Sequence, residues 1–225
     1  MTIESAETLY SQAISALSVG DTATARTAIG KLKGRGPATP HERDLCLEAE
    51  GWCFLCEGKP SSARDTLASS NSSPLLLSLL GVVAGTSEGA LDVFAEALRA
   101  TPSLELVTHA LVGCGGAAHL AAVFEKPAMV TRFPDGWLLR SSEVVFRKGA
   151  FAACERICLA AFRAYGAPTH LFNAACAASR LGEVERALGH LRRALDAGFA
   201  DKALLANDPD LAPVRADARF GSLLG

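Results

Sequence analysis

The stretch "THLFNAACAASRLGEVERALGHLRRALDAGF", residues 169–199, divides into two apolar-periodic segments on either side of Gly182. Leu171, Ala174, Ala175 and Ala178 recur at helical spacing before the glycine, and Ala187, Leu191 and Ala194 recur at the same spacing after it. Glycine permits a tight reversal of the chain, and alanines on the facing sides let two helices approach closely. The stretch therefore predicts a helical hairpin.

The same punctuation recurs along the chain. A glycine is followed five residues on by a small residue, four later by a larger apolar one, and three later by another small or apolar one. Gly20, Ala25, Ile29 and Leu32 form one copy, and Gly58, Ala63, Leu67 and Ser70 another. Gly85, Ala90, Phe94 and Ala97 form a third, and Gly149, Cys154, Cys158 and Ala161 a later one. Pro37 and Pro102 follow the first and third copies, where a helix is expected to stop. Helix-length segments such as "AETLYSQAISALSVG" and "ERDLCLEAEGWCFLCEG" precede the turns.

These repeats resemble the tetratricopeptide repeat family, whose unit of about 34 residues is a two-helix hairpin. The closing stretch "AGFADKALLANDPDLAPVRADARFGSLL" is similar to the segment that follows such arrays in many bacterial proteins. Asp208 before Pro209, and Asp217 before "ARFGSLL", are placed to cap two short helices that cover the apolar end of the stack. The expectation is an all-α solenoid of about five or six TPR-like hairpins with short C-terminal capping helices. Residues 1–125 are read as N-terminal repeats, and 126–225 as C-terminal repeats with the capping segment, together one continuous solenoid. Spacing between copies varies, and residues 103–131 fit the pattern poorly. "EKPAMVTRFPDGW", residues 125–137, breaks the helices with two prolines, a glycine and a short extended run.

Composition agrees with helices. Alanine and leucine dominate a chain that is 49% hydrophobic, and isoleucine appears only as Ile3, Ile14, Ile29 and Ile157. A formal net charge of −2 excludes a chain built mainly to grip nucleic acid. The charge is unevenly spread: residues 1–125 hold 8 basic and 14 acidic side chains, residues 126–225 hold 14 and 10. That asymmetry suits self-association head to tail, or two ordinary solvated faces. The start carries two glutamates and no basic run, so no export signal is read. "PLLLSLLGVVAG", residues 74–85, is about half the roughly 20 residues of a bilayer span, so a buried helix and no membrane insertion are expected. Seven cysteines without a signal sequence point to free thiols and a cytoplasmic setting.

Three motifs invite catalytic readings. Cys53 and Cys56 form a Cys-x-x-Cys pair after Trp52, but they fall near the end of a predicted helix, where the dipole disfavours a thiolate. Cys154 and Cys158 are spaced as half a zinc site, yet occupy packing positions of their repeat; His41, His109, His119, His170 and His190 form no HExxH-type cluster. "GTSEG", residues 85–89, fits the nucleophile-elbow pattern around Ser87, the serine-hydrolase alternative, without the strands such an elbow requires. No catalytic residue, metal or cofactor is therefore assigned. The Gly113, Gly115 and Gly116 run lacks a phosphate loop's Lys-Ser/Thr and reads as a turn.

In the resembled family, the first helix of each hairpin lines a concave groove. The resemblance implies an apolar strip of Tyr10, Ile14, Trp52, Leu75 and Leu79 for a partner helix or extended peptide. It further implies a polar set of Arg140, Arg147, Asn173 and Arg180 for acidic side chains or a chain-terminal carboxylate. Core packing is the competing reading for Trp52, and a solvated surface for the arginines. Some relatives clamp a carboxylate with Lys, Asn and Arg; Arg140 and Asn173 match two of those places, and the other members are absent. The function expected is a non-catalytic adaptor or scaffold binding another protein or peptide, with a chaperone for a secretion or assembly partner as the alternative.

Overall fold

A computed structural model describes residues 4–68, 70 and 104–224. Leu75, Leu79, Ser87 and the repeat copy beginning at Gly85 lie outside the described residues. All secondary structure among the described residues is helical, and the helices group into two compact units, residues 1–116 and 117–225.

In the first unit, α1 (Ala6–Ser18) and α2 (Thr22–Gly34) form one packed pair, and α3 (Pro40–Cys56) and α4 (Pro60–Leu67) a second. Each start has a local cause. Ser5 caps α1 by accepting from the Thr8 amide, and Asp21 caps α2 by accepting from the Thr24 amide. Thr39 and Glu42 close a reciprocal capping box at α3, whose first residue is a proline. Ala25, Ile29, Leu32, Ala63 and Leu67, the recurring positions, are all buried. A further helix, α5 (Leu104–Gly113), packs against α1 and α3.

The end of α5 explains one glycine of the 113–116 run. A Cβ at Gly113 would lie 2.7 Å from the Cys56 carbonyl oxygen and 2.8 Å from that of Leu55, and one at Gly58 would lie 2.7 Å from the Gly113 carbonyl oxygen. Backbone meets backbone there, so no side chain fits.

In the second unit, α6 (Ala117–Glu125) and the short α7 (Pro127–Val130) precede two packed pairs. These are α8 (Asp135–Arg147) with α9 (Phe151–Tyr165), and α10 (Pro168–Arg180) with α11 (Val184–Asp196). The run expected to be extended after Glu125 is instead α7 and a turn, because Phe133 and Trp137 fold inward against Phe124, with ring centroids 4.8 to 5.3 Å apart. The turn glycines Gly20, Gly58, Gly149 and Gly182 all have φ between +74° and +80°. The expected hairpins stand at each of them.

The end of the second unit is closed by α12 (Lys202–Asn207), a 3-10 turn (Pro209–Leu211), α13 (Ala212–Arg215) and α14 (Ala218–Leu224). Asp208 accepts from the Asp210 amide and Asp217 from the Arg219 amide, as their positions predict. Leu205, Leu211, Val214 and Phe220 then pack with Phe172, Ala175, Leu188 and Leu191, covering the apolar face of the last hairpin. No helix among the described residues is long and apolar enough to cross a membrane.

Candidate functional site

Polar contacts in the second unit link residues 31 to 35 positions apart, one hairpin to the next. Arg156 of α9 holds Glu125 of α6 through two bonds of 2.6 and 2.7 Å. Glu155 of α9 accepts from His190 at 2.9 Å and Arg186 at 3.3 Å, both on α11. Between the first helices, His170 Nε2 of α10 donates to Asp135 Oδ1 of α8 at 2.6 Å. The last of these joins α8 to α10, and a cavity of about 240 Å³ is lined from both helices, from α9 and from the closing segment.

Helical spacing decides what faces it. On α8, Ser142, Glu143, Phe146 and Arg147 fall on one side at i, i+1, i+4 and i+5. On α10, Phe172, Asn173 and Cys176 do the same, while Cys154 of α9 forms part of the wall. Asp208 and Asp210 from the closing segment bound one end. The lining is amphipathic, with two aromatic rings and two thiols among carboxylates, an amide and a guanidinium. Such a mixture suits an apolar side chain carried on a polar backbone.

Of the residues singled out in this unit, Arg147 and Asn173 both line the cavity, and neither makes a hydrogen bond or ion pair among the described residues. Arg180, one turn past Cys176 on α10, does not line the cavity but bonds to Asp210, which does. Its Nη1 donates to Asp210 at 2.7 Å, and its guanidinium sits 5.1 Å from the centre of the Phe151 ring. Arg140 is exposed on α8 and does not reach the cavity.

In the first unit the apolar residues behave differently. Trp52 is 3% exposed and belongs to the core. Tyr10 is half-buried, its hydroxyl donating to Glu48 Oε1 at 3.2 Å, and burial pushes its pKa well up. Ile14 is partly buried.

Every cysteine among the described residues is a free thiol. Cys53, near the end of α3, is pushed up to about 11 by burial, with the Glu57 carboxylate adding to it. Burial also pushes Cys114 up to about 11 and raises Cys176. Among the described residues no three His, Cys, Asp or Glu side chains are placed to hold a metal ion.

Sequence reasoning missed two parts of this site. Glu143, Asp208 and Asp210 come from a helix face and a closing segment that only the folded unit brings together. His170 sits on a first helix 35 residues from Asp135, a full repeat away, so a search for histidines clustered within one helix passes over it. Comparison with known protein families, with curated proteins and with solved structures finds no match to this chain.

Proposed function

We propose that the chain is a non-catalytic adaptor or scaffold built from tetratricopeptide-like hairpins, and that its C-terminal groove holds a segment of another protein. The observation carrying this reading is the cavity lined from both α8 and α10, first helices of consecutive hairpins, where the side chains of Arg147 and Asn173 make no hydrogen bond or ion pair among the described residues. Contacts repeating at 31 to 35 residues support the repeat assignment, since they match the period of the family's unit. Phe146 and Phe172 offer an apolar seat, and the amide and guanidinium supply the hydrogen bonds an extended segment requires.

Quantitative affinity capture from the source cells tests the reading, with the wild-type chain beside an Arg147→Ala/Asn173→Ala variant and an Arg192→Ala control. Arg192 is exposed on α11, away from the cavity. A polypeptide retained by wild type and control, and depleted about 10-fold by the groove variant, is the expected result, corresponding to one or two lost hydrogen bonds. Identical capture by all three chains counts against the groove.

A further inference from the structure

The second unit contains a buried cluster that groove binding leaves unused. Cys154 and Cys158 face each other one turn apart on α9, sulfur to sulfur at 3.9 Å. They are 1% and 0% exposed. The His170 ring, also 1% exposed, bonds Asp135 through Nε2, while its buried Nδ1 makes no hydrogen bond. Cys158 is the ring's other ionisable neighbour.

Packing alone does not call for this arrangement. The position of Cys154 in the repeat is alanine in the other copies among the described residues (Ala25, Ala63 and Ala187), and that of Cys158 is Ile29, Leu67 and Leu191. Among the described copies, thiols replace these apolar residues at the hairpin where His170, bonded to Asp135, neighbours Cys158. An imidazole next to a thiol takes its proton and holds the thiolate, and a carboxylate on the far nitrogen fixes the ring. The electrostatics agree. Cys158 is pulled down because the Cys154 thiol donates to it and His170 and Ser142 lie beside it, against the opposing effect of burial. Cys154 is pushed up as the donor. Burial opposes charge on His170, but Cys158 and Asp135 outweigh it and raise its pKa.

We propose that Cys154 and Cys158 form a dithiol oxidised by hydrogen peroxide, in which Cys158 attacks, Cys154 resolves, and Asp135 positions His170 to supply the proton. Peroxide is little larger than water and enters through the cavity, whose wall includes Cys154. The Cys158 thiolate attacks one peroxide oxygen: the S–O bond forms, the O–O bond breaks, and the departing hydroxide takes a proton from His170 to leave as water. The Cys154 sulfur then attacks the Cys158 sulfenic acid. An S–S bond forms, the S–O bond breaks, and the leaving hydroxide takes the Cys154 proton as a second water. Two electrons pass from the thiols to one peroxide.

The bond draws the sulfurs from 3.9 Å to about 2 Å. Because Cys154 also walls the cavity, oxidation reshapes the groove.

The test treats the intact chain with equimolar hydrogen peroxide, alkylates the remaining thiols, and follows each cysteine by mass spectrometry. A Cys154–Cys158 disulfide should form about 10-fold faster than oxidation at Cys46, Cys53 or Cys114, whose thiols burial pushes up. With Cys154→Ser, dimedone should trap the sulfenic acid on Cys158; with Cys158→Ser, Cys154 should acquire no adduct. Asp135→Asn should move the pH midpoint of Cys158 oxidation upward while helical content stays constant. The proposal is overturned if Cys53 or Cys114 reacts as fast in the wild-type chain, if Cys154 is trapped in the Cys158→Ser variant, or if Asp135→Asn leaves the midpoint in place.

Discussion

The two units are built from the same hairpin and share one arginine–glutamate link across 31 residues, but differ in what is added to it. In the first, the chain closes by contact of bare backbone, with Gly113 against the carbonyls of Leu55 and Cys56, and by ion pairs that keep one partner in water, such as Arg26 with Glu57. In the second, the Arg156–Glu125 pair repeats the 31-residue span of Arg26–Glu57, and two histidine–carboxylate pairs with buried histidines, His170 with Asp135 and His190 with Glu155, are added to it. The common pattern of glycine turns and small residues makes hairpins in both units. What is added to the shared link differs between them: bare backbone contact in the first, buried histidine–carboxylate pairs in the second.

The sharpest way to break this contrast is Gly113→Ala. Its Cβ meets backbone oxygen, which cannot rotate away, so the first unit should lose about 3 kcal/mol, while the second keeps its protection. Hydrogen exchange measured unit by unit reads both outcomes. Glu155→Ala is the converse. It leaves His190, 9% exposed, without its acceptor, and about 2 kcal/mol should disappear from the second unit alone.

Acid separates the ion pairs of the first unit. The Arg26 guanidinium, followed by Lys59, holds the Glu57 carboxyl at about 2 instead of 4.5. A carboxyl depressed in the folded state stabilises above its unfolded value and loses that contribution as pH falls toward the folded one. The wild-type chain should therefore exceed Arg26→Ala by about 1 kcal/mol above pH 4.5, after allowance for solvent around the guanidinium, and the gap should close toward pH 2. Denaturant melts of both chains across that window measure it. The smallest effect concerns caps. Asp21 caps α2 directly after its turn glycine, whereas Ala150, after Gly149, gives α9 no side-chain cap. Ala150→Asp should raise the stability of the second unit by about 0.5 to 1 kcal/mol, read from its thermal midpoint.

Hairpin positions were legible in the sequence because their cause is local: a glycine at positive φ and small residues at helical spacing need no knowledge of the rest of the chain. The closing segment was legible for the same reason, through Asp208 and Asp217 as caps. Trp52 was harder, since a first helix faces its own hairpin partner and its neighbours, and periodicity does not say which face receives the indole. The groove was half legible. Arg147 and Asn173 follow from the first-helix face, but Asp208 and Asp210 reach it only through the path of the closing segment. The His170–Asp135 contact was hidden because it joins different repeats.

Photo-crosslinking in the source cells tests the central claim most directly, with benzoylphenylalanine placed at Asn173 in the groove or at Arg192 on the second helix of the same hairpin. The account predicts discrete adducts to another polypeptide from position 173 and none from position 192. Adducts from position 192 alone, or equally from both, would contradict it.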